Sequence, residues 1–437
     1  PIRQVVSNYR GILCSAAPAF DLRQGKVPWT RNVERVGWLS AKPVVSEGRI
    51  VYTSSGRRAR PYMICLDLMT GKELWRVTAG GRIDSTPTWH KGMVIFGSAD
   101  GWVYAVGAAD GALVWRFRAA PQDRQVSVYG QLESIWPVHG AVLVQNGTLY
   151  ATAGRTSYTD GGIVLYRLDP ATGKQLSRSV LYHLDPATGR QLTTEARFNM
   201  EGTGSDILSG DGEMVYLKYF GFDRDGKRGK ATRPHLYAIT GLLGEEWFVR
   251  SYWVIAAGMP GAGWGGWANA ANQNPFGRIL CFTDDAVYGY GRQRVQGGPV
   301  GHRADAYHLF AMDPKAVRTT PGRRGKKQTA RGKLLWSKPD SLIVRAMVLG
   351  RDRLAIAGPP DLGKKKAGLL AFQNEPEALA GFRGEKGILL RIVAASDGRT
   401  LSESPLPAMP VLDGLAAAAG RLYLSTQDGR VRCLAGK

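Results

Sequence analysis

The sequence predicts an all-β protein, a single β-propeller of four-stranded blades, and three observations predict it. One pattern recurs along the chain: an alternating apolar strand, an Asp in a small-residue turn, then Gly-Lys and a strand ending in Trp. A second alternating apolar strand lies upstream of each copy. The last copy stops one strand short, and the start of the chain supplies a spare one. Period-two alternation rich in aromatic and β-branched residues is the strand signal.

The copies can be taken in order. Residues 62–75 read YMICLDLMTGKELW, 102–115 WVYAVGAADGALVW, 163–177 IVLYRLDPATGKQLS and 388–402 ILLRIVAASDGRTLS. YHLFAMD (307–313) and GKLLW (332–336) form one copy split by a basic insertion, and LYAITGLLGEEWF (236–248) is a weaker copy. The upstream strands are GRIVYTSS (48–55), GMVIFGSADG (92–101), GTLYATAG (147–154), GEMVYLKYF (212–220), DAVYGYG (285–291), DRLAIAG (352–358) and GRLYLSTQDG (420–429). The Asp-Gly pairs at 100–101 and 428–429 set hairpin turns. Copies recur every ~40 to ~90 residues, the shorter spacing matching the four strands of a propeller blade.

A four-stranded sheet buries both faces only between similar sheets, and a ring leaves no end uncovered. The final copy ends at RVRCLAGK (430–437) with no outer strand, and QGKVPW (24–29) is expected to complete it. Counting this way gives seven blades, with eight as the alternative if part of residues 1–24 or 251–282 forms another. Residues 1–23 are then an N-terminal extension and 24–437 the propeller. YRLDPATGKQL (166–176) is followed by YHLDPATGRQL (182–192), too close to be a blade, which predicts a duplicated hairpin on the third blade.

Composition bounds the function. Of 437 residues, 58 are Lys or Arg and 36 Asp or Glu, a formal net charge of +22 that attracts polyanions without dictating a fold. Cys14, Cys65, Cys281 and Cys433 are scattered, with no CxxC, which excludes a cysteine-rich zinc module and a disulfide scaffold. Cys65 and Cys433 sit in apolar strand patterns and are expected as buried thiols. No stretch reaches the roughly 20 apolar residues that span a bilayer. GILCSAAPAF (11–20) is too short for a signal core, and a start at Pro1 suggests a processed or trimmed chain.

At YMICLDLMTGKELW and its copies the sequence resembles the pyrroloquinoline-quinone (PQQ) enzyme repeat, with its A-x-D-x-x-x-G-K-x-x-W tryptophan docking motif, over about residues 24–437. Families sharing the repeat include quinoprotein alcohol dehydrogenases, the propeller lipoprotein of the outer-membrane β-barrel assembly machine and planctomycete-type propellers of unknown role. Residues 205–223, 278–292 and 413–434 look most like the last group. For a dehydrogenase the resemblance implies an adjacent Cys-Cys disulfide, a Trp floor, an Asp base and Ca2+ ligands. This chain has no Cys-Cys pair, and no acidic cluster accompanies the loop GWGGWANAANQNPFGR (263–278). No cofactor is therefore expected, neither PQQ nor Ca2+, and no metal site.

Two groups of residues are candidate sites. Trp264 and Trp267 are loop tryptophans able to stack on a sugar or partner, and His302, Arg303 and Asp305 place base, cation and acid in one short stretch before Tyr307. The plainer reading of both is a packed rim loop and an ordinary polar loop. The basic runs GKRGKATR (226–233), GRRGKKQTARGK (322–333) and GKKK (363–366) are expected as solvated surface loops, with Arg323, Arg324, Lys326 and Lys327 as polyanion-binding candidates. No aromatics interleave them, so sequence-specific nucleic acid is not expected. The expected function is a non-catalytic, monomeric scaffold for a protein or acidic polymer. Its alternative is a carbohydrate-active or quinone-dependent oxidoreductase with its site at the channel mouth. The resemblance implies a periplasmic, outer-membrane-associated or secreted location.

Overall fold

The turn after the third strand of a blade is where local chemistry first fixes this fold. Asp169 Oδ1 accepts the amides of Ala171 and Thr172 at 2.8 and 2.9 Å, and the Gly173 amide returns to the Asp169 carbonyl at 2.8 Å. These amide bonds hold the Asp169 carboxyl below the usual carboxylate range. Gly173 closes the turn at φ +71°, in the left-handed region that glycine enters without steric cost. Asp67 makes the same bonds to Met69 and Thr70. The computed structural model describes residues 5–6, 26–32, 43–56, 59–128, 130–140, 142–185, 187–190, 202–229, 231, 233–238, 253–256, 275–283, 285–292, 307–313, 319–321, 327–329, 333–363 and 372–435.

Two compact units divide the chain. The unit containing residues 31–245 holds four antiparallel blades. The first is Val44–Ser46, Arg49–Gly56, Ala59–Asp67 and Glu73–Thr78; the second is Thr88–His90, Met93–Gly97, Trp102–Gly107 and Leu113–Arg118. The third is Leu143–Gln145, Thr148–Ala153, Ile163–Leu168 and Gln175–Leu181. The fourth is Leu208–Gly210, Val215–Leu217, Phe220–Phe222 and Arg228–Gly229, with Val5–Val6 added as a fifth strand beside Ser209 and Gly210. Apolar side chains of successive blades form the core: Ile95, Val103 and Ala105 of the second blade pack with Leu149, Ala151 and Val164 of the third.

The unit containing residues 246–437 holds the other sheets. A small one pairs Trp253–Ala256 with Phe276–Gly277. A four-stranded blade follows in Ile279–Phe282, Val287–Arg292, Tyr307–Asp313 and Lys333–Pro339, and another in Ala346–Gly350, Arg353–Gly358, Leu389–Ala394 and Thr400–Pro405. The last is Pro410–Ala418, Arg421–Thr426 and Arg430–Ala435, with Lys26–Asn32 beside Arg430–Ala435 as its outer strand. The expected completion of the last blade by the opening segment is therefore present.

Tryptophans tie neighbouring blades together. The Trp75 indole donates to the Ala108 carbonyl at 2.9 Å, Trp115 to Pro170 at 3.1 Å and Trp336 to Ala395 at 2.8 Å. Each ring lies on the turn glycine of the next blade, so a Cβ added at Gly111, Gly173 or Gly398 would come within 2.9, 2.6 or 2.7 Å of it. Blade three has Ser177 in place of Trp, and serine hydroxyls substitute: Ser179 donates to the Gly226 carbonyl at 2.5 Å and Ser177 to Asp225 at 3.4 Å.

The docking position also carries a β-bulge. In five blades the ladder skips the residue before the docking position: Leu74, Val114, Leu176, Leu335 and Leu401 have no partner on the adjacent strand. An unpaired bulge residue is turned out of register. The first four are 42–51% exposed, and Leu113, next to Val114, is 56% exposed.

Several expectations are corrected. The described residues form eight sheets of blade size, which corrects the count of seven and agrees with the alternative of eight, with the extra sheet drawn from residues 251–282. The expected strand 212–220 breaks at Lys218, which has φ +53°, and Phe220–Phe222 turns back to complete blade four. LYAIT is thereby displaced from the fourth blade, and Trp253–Ala256 and Phe276–Gly277 supply the additional sheet. Two basic runs expected as plain loops are partly paired: Arg228–Gly229 joins blade four, and Lys327–Thr329 forms a hairpin with Thr319–Pro321. An eight-residue helix, Glu375–Phe382, capped by Asn374, was not foreseen. Cys65 and Cys433 are buried thiols as expected, and Cys281 is too.

The near copy DPATG at 185–189 repeats the turn of 169–173: Gly189 has φ +64°, its amide bonds the Asp185 carbonyl at 2.8 Å, and no described atom lies within 4 Å of a Cβ placed there. The two glycines form a matched test. Gly189→Ala should cost only the left-handed penalty of about 1–2 kcal/mol, whereas Gly173→Ala adds overpacking against Trp115 of about 1–3 kcal/mol. Denaturant midpoints of the two variants measure the difference, and equal midpoints would refute indole docking as the tighter constraint.

Candidate functional site

Three segments of the 31–245 unit carry charge into its interior. Gly81–Ser85 leaves the outer strand of blade one, the hairpin Gln125–Val128/Gln131–Ser134 and residues 135–140 link blades two and three, and Arg155 follows the second strand of blade three. Backbone bonds fix them: Ala99 N to Arg82 O at 2.7 Å, Ser134 N to Ala99 O at 2.8 Å and Val138 N to Ser98 O at 3.0 Å. A Cβ at Gly81 would lie 2.5 Å from the Asp100 amide, so only glycine lets this segment approach so closely.

Their side chains close a ring of five. Arg82 pairs with Asp84 at 2.5 Å and with Glu133 at 2.8 Å; Glu133 pairs with Arg155 at 2.7 Å; Arg155 Nη1 lies 3.4 Å from His139 Nε2; His139 Nδ1 returns to Asp84. The side chains of Arg82, Asp84, Glu133 and His139 are all below 8% exposed, and only Arg155, at 29%, reaches solvent. Burial opposes the Asp84 charge, but the bonds and charges of His139 and Arg82 outweigh it and hold the carboxyl below its usual range. Both ring nitrogens of His139 are engaged, Nδ1 by Asp84 and Nε2 by Arg155, and the ring of side chains clamps three segments together.

A second buried cluster flanks it. The Ser205 amide bonds the Arg155 carbonyl at 2.9 Å, and Asp206 follows, its Oδ1 accepting the Ile207 amide at 2.7 Å and its Oδ2 lying 3.7 Å from Lys218 Nζ. Burial pushes the Asp206 carboxyl up to about 6, with Lys218 pulling the other way. His235 bridges two carbonyls, Nε2 to Lys218 at 2.6 Å and Nδ1 to Arg233 at 2.9 Å, with the Tyr216 ring stacked at 3.8 Å. Burial lowers the His235 pKa against the pull of those carbonyls. Among the described residues no group of three His, Cys, Asp or Glu is placed to hold a metal ion, and no helix is long and apolar enough to cross a membrane.

The candidates named from sequence are not these. Trp264, Trp267, His302, Arg303, Asp305, Arg323, Arg324 and Lys326 lie outside the described residues, and Lys327 opens a hairpin strand. The ring left only faint traces in the sequence. His139 and Asp84 are 55 positions apart, so no short-range motif joins them.

Comparison with known proteins follows the same lines. The family model described as outer membrane protein assembly factor BamB matches residues 16–182. The solved quinohemoprotein alcohol dehydrogenase from Comamonas testosteroni is similar at 15% identity and TM-score 0.54, covering 95% of this chain and 77% of that one. The chain has the β-propeller fold, and its residues 16–182 match the PQQ-type repeat. The PQQ-repeat fold is equally visible in ADHIIG from Pseudomonas putida HK5, at 12% identity and TM-score 0.52, covering 99% of this chain and 80% of that one. BamB from Moraxella catarrhalis aligns over 91% of this chain and 82% of its own at 14% identity, but its TM-score of 0.36 is too low to support an argument. No curated protein matches the sequence.

Such dehydrogenase propellers imply a quinone cofactor, a polyanion that needs spare cations. In this propeller the described cluster does not fit one: both guanidinium groups of the ring are matched to Asp84 and Glu133.

Asp206 makes the pH dependence testable. Its native carboxyl holds a proton to about pH 6, whereas an unfolded Asp releases it near 4. The native state therefore binds the extra proton in that window. The contribution is complete below pH ~4 and is lost as pH rises through ~6, on the order of 3 kcal/mol at most for a shift of about two pKa units. Asp206→Asn should flatten the fall in stability between pH 4 and 6, measured by denaturant titration. An unchanged slope would contradict the assignment.

Proposed function

We propose that this propeller is a non-catalytic scaffold that engages a protein partner in the cell envelope. The observation that carries the proposal is the outer strands: Leu74, Val114, Leu176 and Leu335 are bulged out of the ladder and exposed beside unpaired strand edges. Exposed aliphatic residues on a free edge are a liability unless a partner uses them. The family match over residues 16–182 to an assembly factor supports the reading. The net charge of +22 favours a partner of acidic character.

Two measurements test it. A photo-crosslinking residue at Val114, in cells, should capture a discrete envelope protein, while the same residue at exposed Lys91 should not. Purified chain given PQQ and Ca2+ should show no dye-linked alcohol oxidation. Turnover with PQQ, or identical crosslinks at both positions, would refute the scaffold reading.

A further inference from the structure

The outer strands differ in what remains on offer. In blades one to three the exposed aliphatic is followed two residues later by an exposed arginine on the same face: Leu74 and Arg76, Val114 and Arg116, Leu176 and Arg178. Aromatic residues of the adjacent strand support these cations, Arg76 over Tyr62 at 4.8 Å and Arg116 over Trp102 at 4.7 Å. A planar cation laid on a ring is held in place while its N–H groups stay free for an anion.

In blade one Arg76 is already spent on Glu73 of its own strand, with both oxygens bonded at 3.1 and 3.0 Å. In blade three Ser177 and Ser179 reach over to the turn at Asp225 and Gly226, so that strand is partly covered. Blade two stands apart. Leu113–Arg118 carries no acid, its Arg118 lies 4.0 Å from an Asp123 that is itself 87% exposed, and Leu113 and Val114 are 56% and 51% exposed. The bulge is confined to the start of the strand. From Trp115 to Arg118 the ladder to Trp102–Ala105 is regular, and among the described residues the opposite edge has no partner strand. It offers every second backbone N–H and C=O over those residues.

We propose that the edge of Leu113–Arg118 is the partner-binding surface, and that it takes an extended peptide strand alternating acidic and apolar residues. The peptide backbone continues the sheet, its carboxylates meet Arg116 and Arg118 on the face these share with Val114, and its apolar side chains lie on the other face, toward Leu113. Charge complementarity selects the sequence and the ladder selects the extended form. This deepens the scaffold reading and rests on it.

The probe is an eight-residue peptide of alternating Glu and Val with a fluorophore, titrated with the full chain by anisotropy. Three comparisons define the site: the peptide with Lys for Glu, the peptide N-methylated at alternate residues, and the chain carrying Arg116→Glu with Arg118→Glu. The acidic peptide should bind, and each change should weaken it by about tenfold or more, since reversing both charges replaces attraction with repulsion. The unchanged thermal midpoint of the variant shows that it is folded, and amides of Leu113–Arg118 should gain exchange protection with the peptide. No binding at millimolar concentration, equal binding of the N-methylated peptide, or insensitivity to the charge reversal would each overturn the proposal. Binding of a heparin fragment at these arginines in place of the peptide would overturn it in favour of a polyanion. If the peptide fails while Val114 still crosslinks a protein, the scaffold reading stands and only the strand chemistry is wrong.

Discussion

The seating of an indole on a glycine turn of the neighbouring blade is the interaction on which the other features depend. It joins an apolar contact to a directional bond: Trp115 covers Gly173 and donates to Pro170 across 55 positions of sequence. A residue with a side chain at the glycine closes the space, and a smaller aromatic loses the donor. A bulge precedes Trp75, Trp115 and Trp336, but also Ser177 and Ser402, so it belongs to the strand-turn-strand repeat and not to the indole alone.

The interior polar groups obey a different constraint. Buried charges persist only when paired, and breaking one pair leaves the remaining charge uncompensated. Arg82, Asp84, Glu133, His139 and Arg155 solve this by closing on themselves, each segment supplying a charge that another segment neutralises. A catalytic cluster leaves at least one group unmatched for its substrate. This ring leaves its solvent-facing edge to Arg155 alone, which suits a structural clamp. The functional reading accordingly moves to the outer strands, where aliphatic side chains are exposed beside arginines.

The repeat was legible in the sequence because its parts are local: Asp, turn glycine and Trp lie within one strand-turn-strand unit, and alternation marks the strands. The pairing of QGKVPW with the last blade was legible because one strand was visibly missing. The blade count was not, since nothing at Lys218 announces a left-handed residue that folds GEMVYLKYF back on itself. The charge ring was hidden for another reason: its members come from three segments, and each looks like a solvated loop residue until the fold brings them together. The exposed aliphatics were in plain view within GKELW and GALVW, but apolar residue type alone assigns them to the interior.

Hydrogen exchange in Trp115→Ala tests the central claim most directly. If the indole holds the neighbouring blade's turn, the amides of Ala171, Thr172 and Gly173 will exchange faster in the variant while those of the matching turn at Asp67–Gly71 keep their wild-type protection. If the 171–173 amides keep their wild-type protection too, the turn is held by its own bonds and docking is not what joins the blades.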